Sequence, residues 1–518
     1  MNTVYPSSLQ NQAVLVLGLG QSGLAMARWC SEQGARVWVM DTRAEPPGLA
    51  DLHTHAPQAQ FIAGEFDATV LSSQGIRAVF KSPGLSPAEV APVWRAAIEA
   101  GLWVGTELSL FVHALREAQA QTGYAPQVLA ITGTNGKTTV TALTTRLLKA
   151  AGQDVVMAGN IGPNLLDTWR ERAAGAGLPA VWVLELSSFQ LDGVDDFEPT
   201  ASTVLNLSED HLDWHGSMDD YCAAKARIVG STGLLVLNRN DARVMALQPV
   251  SDAAKKKKAI EREVASFGSD APRVAGDWGL ENVNGMNWLV RLIEREGGRK
   301  KARAGAPEHE GYDDDAPFMQ RLMPAEALRI SGQHNALNAL AALALASHTQ
   351  ATLGPMLYAL REYRGEPHRA STVAVVQDVE YINDSKGTNV GATVAALQGL
   401  GQDRRLVLIA GGEGKGQDFS PLAAVVTGHT RAVVLIGRDA PLLRQALQGC
   451  GVPLIEAASM QDAVRCGAEQ AQAGDAVLLS PACASFDMFD HYVQRGEAFA
   501  QAVQALAEDA GVVWEGAA

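Results

Sequence analysis

Cysteine is scarce in this chain. There are five (Cys30, Cys222, Cys450, Cys466 and Cys483), scattered, odd in number and at no metal-ligand spacing. A disulfide-built scaffold or a cysteine metal site is thereby excluded, and reduced thiols are expected. No apolar run approaches the ~20 residues needed to span a bilayer. The opening residues MNTVYPSSLQNQ lack the charged-then-apolar pattern of a leader. Basic residues are outnumbered: the net charge of −15 argues against general nucleic-acid binding, which needs a basic face. The expectation is a soluble cytoplasmic enzyme with neither membrane insertion nor a nucleic-acid partner. Apolar residues, by contrast, are plentiful at 47% of 518, enough for buried cores. A length of this order suggests about three domains, at roughly 150 residues each.

The chain is organised around VLAITGTNGKTT, residues 128–139. Val128, Leu129, Ala130 and Ile131 read as a short buried strand. A tight turn with Gly133, Thr134, Asn135 and Gly136 follows, then Lys137, Thr138 and Thr139. The next stretch reads as a helix with Ala142, Leu143, Leu147 and Leu148 on one face, stopped by Gly152. Strand, glycine turn, Lys-Thr and helix form a phosphate cradle: glycines let backbone N–H groups approach, and a helix N-terminus adds positive potential. Lys137 can reach the outer phosphates and the Thr138 hydroxyl a magnesium ion. Ile131 stands where the common P-loop has its first glycine.

Upstream, the strand AVLVLG opens into Gly18, Gly20 and Gly23, a complete G-x-G-x-x-G, with Gln21 and Ser22 inside the turn. A helix and the strand RVWVMD follow, ending at Asp41, about the right distance for a ribose. Dinucleotide binding and another nucleotide are both open on these residues. Asp41, Thr42 and Arg43, and later Ser82, Pro83 and Gly84 after Lys81, fall at strand ends, where ligands of such sheets gather. Residues 115–126 read as a polar loop and a domain boundary.

Beyond the cradle, DVVMAG leads into a turn with Asn160, and VWVLELSSFQL reads as a strand from Val181 to Leu191 that buries Glu185. A carboxylate there needs a pairing cation or a metal, so an arginine partner and a magnesium ion are the alternatives. His211 follows the strand TVLNL, on the expected sheet edge of Thr138 and Glu185. Lys225, on a helical stretch, reads as a solvated lysine. Residues 250–324 carry blocked charges, glycine and proline, and read as surface insertions. In GQHNALNALAALALAS, Asn335 and Asn338 can cap a helix or bond a base. From about Arg369, strands and helices alternate again, giving another parallel sheet. Its strand ends carry Asp384, Ser385, Lys386 and Thr388, then Lys415, then Ser485, Phe486 and Tyr492, a set suited to a small anionic ligand.

These segments resemble the Mur ligase family of ATP-dependent amino-acid ligases. The resemblance rests on TGTNGKTT, ELSSFQL, NLSEDHLDWHG, GQHNALNALAA, NDSKGTN and SPACASFDMF, with MDTR and KSPG in the first domain. It is strongest to members that join D-glutamate to UDP-N-acetylmuramoyl-L-alanine. It implies an α/β protein of three domains: a Rossmann-like UDP-sugar domain (1–120), a central P-loop ATPase-like domain with a mostly parallel sheet (121–367, with an insertion at about 250–324), and a Rossmann-like amino-acid domain (368–518). ATP and magnesium are the implied cofactors, and a monomer is expected. Gly133, Thr134, Asn135, Gly136, Lys137, Thr138 and Thr139 would hold the ATP phosphates, and Asn335, Asn338, Arg369 and Asp384 the rest of the nucleotide. Thr138 and Glu185 would hold one magnesium ion. Glu185, His211 and Lys225, the last carbamylated, would support a second. Gly20, Gln21, Ser22, Gly23, Asp41, Thr42, Arg43, Ser82, Pro83, Gly84, Asn160, Ser187 and Gln190 would face the sugar nucleotide. Thr388, Lys415, Ser485, Phe486 and Tyr492 would take D-glutamate. Lys137, His211, Lys225 and Lys386 would serve the chemistry.

Overall fold

In the first sheet the strand Ala13–Leu17 is entirely buried and pairs in parallel with Arg36–Asp41 on one side and Ala78–Lys81 on the other. Gln60–Ala63 and Trp103–Gly105 complete five parallel strands in the order of a doubly wound sheet. Gly23, in the first turn of the helix Gln21–Glu32, lies against the preceding loop. A Cβ there would stand 1.9 Å from the Gly18 carbonyl oxygen. The helix can therefore pack onto its strand only with glycine at this position. The structure is a computed structural model and describes residues 8–161, 163–248, 262–294, 317–330, 332–401 and 404–511. No described helix is long and apolar enough to cross a membrane.

The chain forms two compact units. The first holds this sheet and a second one. There, in spatial order, Val264–Phe267, Leu234–Asn238, Ala201–Val204, Gln127–Thr132, Val181–Glu185 and Val155–Gly159 all run parallel to their neighbours. The cradle strand Gln127–Thr132 is thus central and flanked on both sides, which accounts for its continuous apolar run. A single apolar core joins both sheets. At its centre Trp169 stacks on Trp182 at 5.8 Å and meets Trp29 and Phe111 edge-on at 6.2 and 5.8 Å. Arg170 from the helix Leu165–Ala174 adds a 2.6 Å bond to Glu32 at its rim.

The second unit holds an antiparallel sheet of Trp278–Val283, Met286–Ile293 and Phe318–Pro324. It also holds a six-stranded sheet from Ser371–Val376 to Leu454–Glu456. Leu406, Leu408 and Ala410 of the strand Leu406–Gly411 face one apolar core and Val407 and Ile409 another, so helices cover both faces.

The elements depart from the sequence expectations at five places. Residues 115–122, expected as a loop, are the polar second half of the helix Glu107–Thr122, whose first half, 107–114, is buried throughout. The expected strand to Leu191 stops at Glu185. Ser187 then caps the short helix Ser188–Leu191, and Gln190 completes the capping box. Residues 250–324 include ordered strands as well as insertion, with Leu289, Val290 and Leu292 buried; the charged runs within 249–261 and 295–316 lie outside the described residues. The last sheet is not wholly parallel: Ser371–Val376 is an antiparallel edge, joined to Val379–Asn383 by a turn with positive φ at Gln377 and Asp378. Lys225 is buried, as described next.

Candidate active site

Gly136, with φ of 82°, turns the chain into the helix Lys137–Ala150, and Gly133, with φ of 148°, packs flat on the backbone of Leu205 and Asn206. Asn206 clamps the turn: its side chain accepts from Asn135 N at 2.8 Å and donates to Asn135 O at 3.1 Å. Sequence reasoning missed Asn206, although its place at a strand end beside the cradle was a usable signal. The Lys137 ammonium donates to the carbonyls of Gly133 and Thr134, each at 2.8 Å. The Lys225 ammonium donates to the Gly133 carbonyl at 2.9 Å and lies 4.8 Å from the centre of the Tyr221 ring. Two cations therefore gather on the carbonyl side of one glycine turn. Thr138 and Thr139 are buried in the first turn of the helix.

Lys225 corrects the expectation of a solvated lysine. It is only 2% exposed, because the helix Met218–Ala226 turns Tyr221, Ala224 and Lys225 inward together. The i, i+4 spacing of Tyr221 and Lys225 was the available signal.

Glu185 ends its strand opposite Ile131 and is 1% exposed. Its Oε1 accepts from the Asn160 amide at 2.8 Å, while its Oε2 has no hydrogen-bond partner. The alternative of a pairing arginine is replaced by an amide from the neighbouring turn. An unsatisfied buried carboxylate oxygen is costly, and a hard cation is one species that would satisfy it. No group of three or more His, Cys, Asp or Glu residues that could hold a metal occurs among the described residues. Magnesium, however, commonly takes only one or two carboxylates and completes its shell with water and phosphate. Glu185 with the Thr138 hydroxyl fits that pattern. Ser187 and Gln190 bond each other in the capping box.

At the first glycine turn, Asp41 accepts from Leu19 N at 2.7 Å and takes both ends of the Arg43 guanidinium at 2.8 Å. Arg43 is the main reason its carboxyl is held down to about 2. Ser82 lies beside this turn, its backbone N bonded to Leu17 O at 2.8 Å. Close by, Glu107 is fully buried and accepts from Leu166 N at 3.0 Å. Burial drives its carboxyl up to about 7, only partly opposed by the bonds from Leu166 and Ser22.

The second unit holds the other candidates. His211, with φ of 55°, has its Nε2 3.6 Å from Asp210 Oδ2. The Asn338 amide donates to Asn335 Oδ1 at 3.2 Å in the first turns of the helix Gln333–His348. Asp384 accepts from Ser480 Oγ at 2.7 Å and from Ala370 N at 3.2 Å. Burial raises its carboxyl to about 6, and the charge of Arg369 opposes that. The Lys386 ammonium lies 3.8 Å from the centre of the Tyr492 ring, and Thr388 N bonds Lys386 O at 2.8 Å. Lys415 has φ of 52°; Ser485 is buried, and Phe486 is exposed. Arg495, unnoticed in the sequence, is 1% exposed. It joins the Ser385 hydroxyl and carbonyl to the carbonyls of Cys483 and Ala484, at 2.8–3.1 Å.

Three family models match: the Mur ligase MurD-like N-terminal domain over residues 12–105, the Mur ligase middle domain over 131–284, and the Mur ligase glutamate ligase domain over 368–483. A protein of Albidiferax ferrireducens named UDP-N-acetylmuramoylalanine–D-glutamate ligase is 59% identical over 512 residues, covering 99% of this chain and 100% of its own. A Polaromonas protein of the same name is 48% identical, covering 98% and 99%. Among solved structures, the MurF ligase of Thermotoga maritima in complex with ADP matches with a TM-score of 0.55 at 14% identity, over 98% of this chain and 97% of that one. The relatives cover nearly the whole chain, and the chain belongs to the Mur ligase family.

Proposed function

We propose that this protein is an ATP-dependent ligase that joins D-glutamate to UDP-N-acetylmuramoyl-L-alanine in peptidoglycan precursor synthesis. The observation that carries the reading is the pair of ammonium groups on Gly133, with the half-satisfied carboxylate of Glu185 on the neighbouring strand opposite Ile131. It occurs in a chain that aligns end to end with relatives bearing that name. A carboxylate is a poor electrophile. Transfer of the ATP γ-phosphoryl group to the terminal carboxylate of the sugar nucleotide makes an acyl phosphate. The amine of D-glutamate then attacks, a tetrahedral intermediate forms, and phosphate leaves. The protein's share is positioning and neutralising charge. The cradle, residues 133–139, seats the phosphates, and Lys137 swings from its own loop carbonyls to the outer phosphate. Asn160 keeps Glu185 oriented. Asn335, Asn338, Arg369 and Asp384 are assigned to the nucleotide. Thr388, Lys415, Ser485, Phe486 and Tyr492 are assigned to D-glutamate, and Lys386 to the transferred phosphoryl group. The first glycine turn, with Asp41–Arg43 and residues 82–84, is assigned to the uridine diphosphate, with Asn160, Ser187 and Gln190 further along the sugar nucleotide.

Magnesium, held by Thr138 and Glu185, with His211 and Lys225 supporting a second ion, would offset the clustered negative charge of the phosphates. Carbamylation of Lys225 would exchange a cation for the anion such a site favours. The three domains are assigned to residues 1–120, 121–367 and 368–518, limits within which the matched ranges fall. A monomer in the cytoplasm, where ATP and the sugar nucleotide are supplied, completes the reading.

Phosphate release measured with and without each substrate tests it. Release that needs ATP, UDP-N-acetylmuramoyl-L-alanine and D-glutamate together is the expected result. Release indifferent to D-glutamate, or full activity with another amino acid in its place, would overturn it.

A further inference from the structure

Lys81 ends a strand of the first sheet, immediately before Ser82, Pro83 and Gly84, and is 1% exposed. Its ammonium pairs with Asp192 and lies between two indoles, 5.0 Å from the centre of Trp94 and 5.5 Å from that of Trp214. Asp192 directly follows the short helix Ser188–Leu191, and six residues separate it from the Glu185 strand end. A ring path continues from Trp214. Its indole is 4.5 Å from His215, which is 5.3 Å from Tyr221. The Tyr221 hydroxyl is 2.9 Å from the Thr134 hydroxyl in the phosphate cradle. His215 is fixed from the side by Ser188 Oγ at 2.9 Å and by the Phe189 ring at 5.7 Å. Every link lies within the first unit.

A buried ammonium is an expensive way to fill space, since an apolar side chain of the same volume often stabilises as well or better. What the charge adds is direction. It sets Lys81, and with it the turn at residues 82–84, in one register against the segment bearing Asp192 and Trp214. We infer that Lys81 is a positioning residue that couples the two substrate turns. Seating of the sugar nucleotide at residues 82–84 fixes Lys81 between its indoles. The Trp214–His215–Tyr221 path then holds Thr134, and so the cradle, in its ATP-receiving form. The inference rests on the functional reading above. Energetic coupling of this kind travels through packed side chains but has to be measured as a coupling.

The test is the dissociation constant of a non-hydrolysable ATP analogue, by calorimetry on the full chain, with and without saturating UDP-N-acetylmuramoyl-L-alanine. Wild type should bind the analogue at least about fivefold tighter when the sugar nucleotide is present. Lys81→Met should bring that ratio to about one while leaving the affinity for the analogue alone within about twofold. Lys81→Arg should keep part of the ratio, and Tyr221→Phe should lower it from the other end of the path. If Lys81→Met does not fold, Asp192→Asn serves in its place and Tyr221→Phe decides with it. A wild-type ratio of one, or a variant that melts lower with its ratio unchanged, overturns the inference. Failure of wild type to bind the sugar nucleotide at all would instead overturn the functional reading, and the inference with it.

Discussion

The turn at residues 18–23 and the turn at residues 133–136 each leave a buried parallel strand and enter a helix, yet charges of opposite sign organise them. At the first, the Asp41 carboxylate holds the Leu19 amide and is itself gripped by Arg43. At the second, Lys137 and Lys225 draw the Gly133 carbonyl toward them. Peptide N–H and C=O groups point in opposite directions, so cations on the carbonyl side turn the amide side toward an anion. Glycine spacing alone does not separate these cases. The neighbouring charges do.

The sharpest way to break this contrast is to remove a cation from the second turn. Lys137→Ala should lower kcat about 10³-fold with the melting temperature nearly unchanged; phosphate release together with thermal unfolding checks both halves. A smaller effect concerns the first turn, where Glu107 adds a second buried acid. Its folded carboxyl, at about 7 against an ordinary 4.5, keeps its proton in a window where the unfolded chain loses it. The share of stability contributed by Glu107 should therefore fall as pH rises from about 4.5 to about 7, by up to roughly 3 kcal/mol, and be level outside that window. Glu107→Gln should remove that share of the slope, as read by denaturant unfolding at several pH values; identical slopes would count against it. Lys225→Ala should cost about 10²-fold in activity and regain part of it with a short carboxylate such as acetate; full activity would remove the carbamate assignment. Asp41→Asn should be mildest, raising the KM for the sugar nucleotide about tenfold at constant kcat. An equal loss in kcat would mean that Asp41 acts on the chemistry and not on seating.

Much of this was legible before the structure. Central parallel strands such as Ala13–Leu17 and Gln127–Thr132 bury both faces, so their apolar runs stand out. The second half of the helix Glu107–Thr122 was hidden because residues 115–122 are mostly polar and none of them is buried. Lys225 was misread because a lysine on a helix is usually solvated, and burial here depends on which face meets the cradle, a tertiary fact. Glu185 was recognised as unusual from its apolar neighbours, but its amide partner, Asn160, comes from a different strand end. Lys81 owes its place to contacts across the chain that no local pattern encodes.

The guanidinium of Arg495 bears on how far two loops of the second unit can vary. It reaches the backbone of two separate loops at once, the one with Ser385 and the one with Cys483 and Ala484. Lengthening either loop would strand a buried charge whose ionised form burial already disfavours, its pKa drawn down to about 10. Change in these loops should therefore come by exchanging side chains at fixed length, with insertions selected against.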